Sequence, residues 1–227
     1  MAEASLELHP NINKSDGTMI PKKNGRTCTL WIKILQKVQG LYPKKTCMDK
    51  QTFRTHALKQ LRSLSSAQAR YGDRKVRQRL LEHISDEKAK RVMLYIPLPG
   101  EVDVLPLIGA LRRRGITVLV PFMEGESFRL VQYRLPLRTK QYGVREPNIS
   151  KKYRNKRIDI AIVPIVGTDR TLRRVGFGRG MYDRFFARER GRIGRTIFVQ
   201  RTLQWSSDVV TDAWDVRADE IIVGTRR

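Results

Sequence analysis

The chain has 227 residues, 40% of them hydrophobic, enough for one sizeable core arranged as one domain or two small ones. It contains no signal-peptide pattern and no apolar run long enough to span a bilayer, and its two cysteines, Cys28 and Cys47, both lie near the start. The rest of the chain therefore holds neither a cysteine nucleophile nor cysteine-ligated zinc, and a soluble cytoplasmic protein is the expectation.

Residues 1–28 are polar, punctuated by Pro and Gly and aperiodic, and read as disordered or as a loose arm. Leu30, Trp31, Ile34, Leu35, Val38 and Leu41 then recur at helical spacing, which predicts a short amphipathic helix that packs on the body or touches a membrane surface. Helical periods follow over Lys50–Leu64 and Ser65–Ile84, with Ser65 or Ser66 as N-cap of the second helix. Val92–Ile96 is a short apolar run ending at Pro97 and predicts a buried strand. Val104–Arg114 reads as a helix stopped by Gly115. Thr117–Val120 predicts a strand ending before Pro121, and Ser127–Tyr133 alternates like an edge strand or hairpin arm. Ile158–Val163 is the next buried run, followed by a glycine loop, a helix over Met181–Glu189, and strands over Arg195–Val199 and Glu220–Val223. Strands alternating with helices predict an α/β fold: a mainly parallel sheet flanked by helices, with two N-terminal helices and an N-terminal extension.

The run from Arg174 to Asp183 (Arg-Val-Gly-Phe-Gly-Arg-Gly-Met-Tyr-Asp) concentrates the chemistry. Glycines at 176, 178 and 180 let backbone approach an anion, and a helix N-terminus adds unpaired N–H groups and the positive end of the dipole. Arg174 and Arg179 supply forked donors for phosphate oxygens, and Asp183, one turn into the helix, suits a magnesium ion that bridges phosphates. The run lacks the Gly-Lys-Ser/Thr of a P-loop and the last glycine of a dinucleotide fingerprint, and such glycines also suit a plain strand-to-helix turn. Glu101 and Asp169 each follow a predicted strand, where ligands gather in open α/β sheets.

The formal net charge is +24; residues 1–47 carry eight Lys/Arg and three Asp/Glu, so about +19 belongs to the body. The cations are spread, with little aromatic interleaving, so a solvated basic surface competes with a nucleic-acid-binding protein whose glycine loop is merely structural. A positive field would also speed capture of polyanionic substrates.

Several separated pieces are similar to one family. These are Met48–Arg54, Tyr95–Asp103 (Tyr-Ile-Pro-Leu-Pro-Gly-Glu-Val-Asp), Tyr142–Pro147, Ile158–Pro164 with Asp169, Arg174–Arg184, Gln204, and Trp214–Asp219. Together they resemble the 5-formyltetrahydrofolate cyclo-ligase (5,10-methenyltetrahydrofolate synthetase) family over about four fifths of the chain. The resemblance implies two divisions: residues 1–47 as an extension, or as sequence upstream of a natural start at Met48, and residues 48–227 as the family-like α/β domain. It implies ATP- and Mg2+-dependent closure of 5-formyltetrahydrofolate, as such or in polyglutamylated form, to 5,10-methenyltetrahydrofolate through phosphorylation of the formyl oxygen. The residues it implies for ATP are Lys50, Arg54, Arg174, Gly176, Phe177, Gly178, Arg179, Gly180, Met181 and Tyr182, with Arg174 and Tyr182 as catalytic. For folate it implies Glu101 and Ile96, and for magnesium Asp183 and Asp215.

Two departures stand out: Met181 replaces the first of two adjacent tyrosines, and Arg170–Arg173 replaces a glycine-containing turn. Phe128, Tyr142 and Trp205 are candidate walls for a flat pterin, although large aromatics at such positions are more often core. A sugar-phosphate isomerase or acyl-transfer relative would share the coarse fold, but His9, His56 and His83 all precede the first strand.

Overall fold

The computed structural model describes residues 48–139, 145–147 and 157–225. The expectations for residues 1–47 and for Tyr142 lie outside these.

Helix α1 (Lys50–Arg62) starts where Asp49 accepts the N–H groups of Gln51 and Thr52, both at 2.8 Å. Of the two serines available to start helix α2 (Ser66–Asp86), Ser65 is the cap: its hydroxyl accepts from Gln68 N while Gln68 Oε1 accepts from Ser65 N, a reciprocal capping box. Strand β1 (Arg91–Met93) leads through a buried extension to helix α3 (Leu105–Arg113), which ends at Gly115 in the left-handed region, φ +75°.

Strand β2 (Thr117–Glu124) runs four residues past the boundary that Pro121 suggested. Its hairpin partner β3 (Ser127–Gln132) is antiparallel, and Tyr133 N donates to Val118 O, so ladder bonds fall on even positions of β2. Pro121, opposite Leu130, needs no donor toward β3, and β1 has already ended on its other side.

A two-stranded ribbon follows, β4 (Leu137–Thr139) with β5 (Arg145–Pro147), then β6 (Ile158–Pro164). Strands β7 (Gly167–Asp169) and β8 (Arg174–Val175) flank the Arg170–Arg173 turn, where Leu172 takes φ +60°. Helix α4 (Met181–Glu189) has the bounds its periodicity predicts. Strand β9 (Ile193–Thr202), β10 (Trp205–Ser206) and β11 (Glu220–Thr225) complete the described chain.

The main sheet has the order β11-β9-β6-β1-β2-β3, parallel except for the β3 edge, and β10-β7-β8 form a small second sheet. Strand pleating divides the core. Val92, Ile160, Ile162, Ile197, Val199 and Ile222 face α2 and α3, meeting Val76, Leu80, Ile84, Ile108 and Leu111. Met93, Leu119, Ala161, Val163, Phe198 and Ile221 face the opposite layer, where α4 brings Phe185 and Phe186. Burial of each such Val, Leu, Ile, Met or Phe side chain contributes about 1.5–3 kcal/mol. Among the described residues no helix is long and apolar enough to cross a membrane.

Candidate active site

The chain builds the sheet outward in two directions, β1-β2-β3 one way and β1-β6-β9-β11 the other. The order therefore reverses between β1 and β6, and the crevice beyond their carboxyl ends is where an open parallel sheet receives a ligand. One lip is the segment after β1, carrying Ile96 and Glu101; the other is the segment after β6, leading through Arg174 to the glycine loop.

Ile96 is buried at the end of the β1 extension. Glu101 is half-buried, accepts the Leu98 N–H at 2.9 Å and borders a cavity of about 350 Å³ with Leu58, Leu61, Leu64, Ile165, Phe177 and Arg201. Burial pushes its carboxyl up to about 7, against the opposing pull of the Leu98 N–H and of the Arg174 and Arg201 charges. Such a carboxyl changes charge near neutrality.

Arg174 departs from the picture of a fork held out to phosphate. It is only 6% exposed, its Nε donates to Pro164 O at 3.0 Å, and its guanidinium lies 4.6 Å from the centre of the Tyr182 ring. Burial and the neighbouring Glu101 charge push the Tyr182 hydroxyl up, with Arg174 opposing them. Gly176 is required by this arrangement, since a Cβ there would meet Arg174 Cζ at 2.6 Å. Gly178 and Gly180 are required by backbone shape, at φ +99° and +61°. Gly180 is the N-cap of α4 and offers no side-chain acceptor, so the first turn of that helix keeps its donors for another partner.

Helix α1 brings Arg54 to the glycine loop and Lys50 to the segment that carries Asp212 and Asp215. Arg54 Nε donates to Gly176 O at 2.7 Å, and its guanidinium lies beside Gly178. Lys50, one turn earlier, donates to Asp215 Oδ2 at 2.5 Å and Asp212 Oδ2 at 2.9 Å. Burial lowers the proton affinity of Lys50, but the two carboxylates outweigh it and hold its ammonium above the usual range. Asp215 is 5% exposed and also accepts from Asp212 N at 2.7 Å. Asp183 Oδ1 accepts from Val216 N at 3.1 Å, so the backbone beside Asp215 is tied to the first turn of α4. The two expected metal ligands thus converge from residues 32 positions apart in sequence, although no cluster of three or more His, Cys, Asp or Glu able to hold a metal occurs among the described residues.

Phe177 is 42% exposed at the loop, Arg179 is exposed, and Met181 and Tyr182 are half-buried in the first turn of α4. Arg184 ties this turn to the hairpin by donating to Glu126 O and, at 2.7 Å, to Arg179 O. Asp169 is fully buried: burial pushes it up, but donors from Thr171 and Thr211 outweigh this and hold it below the ordinary range. It accepts from Thr171 N and from Val210 N and Thr211 N, all at 2.9 Å, so it clamps the 170–173 turn to the segment leading to Asp212 and Asp215. Of the aromatic candidates, Phe128 is core, stacked 4.4 Å from Phe185, whereas Trp205 is partly exposed on β10. Asp212, Asp73 and Arg201 were not singled out from sequence; only their partners in space mark them.

This is a doubly wound α/β protein with a basic glycine-rich loop and a perturbed carboxyl facing each other across its switch point. Residues 46–224 match the model of the 5-formyltetrahydrofolate cyclo-ligase family, and the chain belongs to that family and is an enzyme of the cyclo-ligase class. It is 26% identical over 182 residues to the 5-formyltetrahydrofolate cyclo-ligase of Haemophilus influenzae, covering 77% of this chain and 97% of the relative. The corresponding protein of Mycoplasma pneumoniae is 26% identical over 179 residues, with 77% and 98% covered. Among solved structures, the 5,10-methenyltetrahydrofolate synthetase of Aquifex aeolicus matches with 30% identity and a TM-score of 0.65, covering 77% of this chain and 88% of that one. The Mycoplasma pneumoniae synthetase structure shares the fold, with a TM-score of 0.63 at 24% identity, over 78% of this chain and all of the other.

Proposed function

We propose that the chain closes 5-formyltetrahydrofolate to 5,10-methenyltetrahydrofolate at the expense of ATP, releasing ADP and phosphate. The observation that carries this reading is the pairing, across one crevice, of Glu101 with a glycine loop that gathers Arg54 and Arg174, with Lys50 held by Asp212 and Asp215 one helical turn away from Arg54. Anionic and flat, hydrogen-bonding partners each find suitable groups there.

The chemistry needs positioning and charge neutralisation more than covalent help. A formyl oxygen on nitrogen leaves poorly as hydroxide. Its attack on the γ-phosphorus of ATP expels ADP and turns that oxygen into part of a phosphate leaving group. N10 then attacks the activated carbon, phosphate departs with the former formyl oxygen, and the N10 proton is lost to water. In this reading Lys50, Arg54 and the amides of residues 176–182 hold the triphosphate. Arg174, held against the Tyr182 ring with its charge acting on the Glu101 carboxyl, steadies charge where the phosphoryl group meets the formyl oxygen. Glu101 accepts donors from the pterin edge, and the apolar cavity walls, including Phe177, exclude water.

Asp183 and Asp215 suit a magnesium ion that arrives with nucleotide, because such an ion needs only one or two carboxylates when phosphates and water complete its shell. Bound there, it would neutralise developing charge on the phosphates. Lys50 now compensates Asp215 and would share it.

The test follows methenyl-folate absorbance with purified protein, 5-formyltetrahydrofolate, ATP and Mg2+, omitting ATP and magnesium in turn. Formation that requires both is expected; no turnover and no specific folate binding between pH 6 and 8.5, roughly the range that brackets Glu101 titration, would overturn the reading. Salt-sensitive retention on DNA or RNA in that case would instead favour a nucleic-acid role.

A further inference from the structure

The cavity beside Glu101 has a second charged wall. Arg201, near the end of β9, is joined to Asp73 of α2 by a fork: Nε donates to Oδ1 at 2.7 Å and Nη2 to Oδ2 at 3.1 Å. Asp73 is 5% exposed. The pair forms because α2 lies very close to the sheet: a Cβ on Gly72 would stand 3.3 Å from Arg201 O, and one on Gly224 only 2.6 Å from Gly72 O. Backbone packed this tightly fixes both ends of the fork.

The fork uses one edge of the guanidinium. Nη1 has no partner among the described residues, while the side chain borders the Glu101 cavity and its charge acts on the Glu101 carboxyl. A bare staple between α2 and β9 would need neither property.

We propose that Arg201 is a substrate-binding residue, donating from Nη1 to the ring carbonyl of the bound folate, with Asp73 as its positioning residue. The proposal rests on the folate reading above. A pterin edge presents an amino group, a ring N–H and a carbonyl oxygen in a row. A carboxylate can accept from the first two but leaves the carbonyl, stripped of water inside the cavity, without a donor. Glu101 and Arg201 together supply the complementary set, and a guanidinium whose other edge is tethered is already oriented for it.

The test compares binding of folic acid with binding of its 4-amino analogue, which replaces that carbonyl by a donor, in fluorescence titrations of the full chain. Arg201→Met alone strands the buried Asp73 carboxylate, so the double variant Asp73→Asn/Arg201→Met keeps the fold in balance. It is expected to shift the ratio of the two affinities about tenfold toward the 4-amino analogue, the scale of one hydrogen bond to a charged group. Asp73→Asn alone shifts it in the same direction by less. Equal weakening of both ligands, or no weakening of either, would overturn the role of Arg201 and leave the folate reading standing. A wild-type chain that binds neither ligand nor 5-formyltetrahydrofolate would overturn both.

Discussion

Replacing Glu101 by Gln should make the ligand-free protein more stable while weakening its folate site. A carboxyl that titrates near 7 in the folded chain and near its ordinary 4.5 when unfolded binds more protons in the fold between those values. Stability is therefore lost as pH rises from about 4.5 to about 7 and stays lost above, with a ceiling of about 3 kcal/mol. Gln keeps an oxygen to accept the Leu98 N–H but has no charge to desolvate. At pH 8 the variant should melt up to about 6–12 °C above wild type, taking roughly 2–4 °C per kcal/mol for a domain of this size. The gain should shrink as pH falls through 7 and vanish near 4.5, the ordinary value. In the same variant KM for 5-formyltetrahydrofolate should rise about tenfold or more at pH 8, since an acceptor has become partly a donor. Paired melting curves from pH 4.5 to pH 8.5, roughly the span of the two titrations, decide the matter. Equal melting temperatures at pH 8, or a gain that does not depend on pH, would refute the assignment of a buried, reluctantly ionised Glu101.

Three further outcomes follow from the site. Gly176→Ala should retain the fold, because the added methyl meets the end of a side chain rather than backbone, yet displace Arg174 from Tyr182; kcat/KM should fall about 100-fold with unchanged circular dichroism. Lys50→Met should raise KM for ATP about tenfold and lower stability by about 1–3 kcal/mol, measured by denaturant titration, because Asp215 loses its cation partner. Asp183→Asn keeps an oxygen for the Val216 N–H and should fold normally, while the magnesium concentration giving half-maximal rate rises about tenfold; an unchanged magnesium dependence would remove Asp183 from the metal assignment.

Local sequence determined much of this architecture by itself. Helix α4 and the beginnings of α1 and α2 were legible because capping and 3.6-residue periodicity act within a few neighbours. The buried strands were legible as apolar runs, while the glycine loop, Lys50, Arg54, Asp183, Asp215 and Glu101 stood out as pieces of a family pattern whose roles here belong to the proposal above. The extension of β2 through Pro121 was not, because it depends on ladder parity with β3. Nor were β4, β5, β7, β8 and β10, whose two or three residues carry no period and are held by pairing. Only tertiary structure turned Arg174 inward, set Lys50 between Asp212 and Asp215, and joined Asp73 to Arg201. Those contacts span 10 to 165 residues, and their energies depend on burial and on charges that meet only after the sheet has been wound.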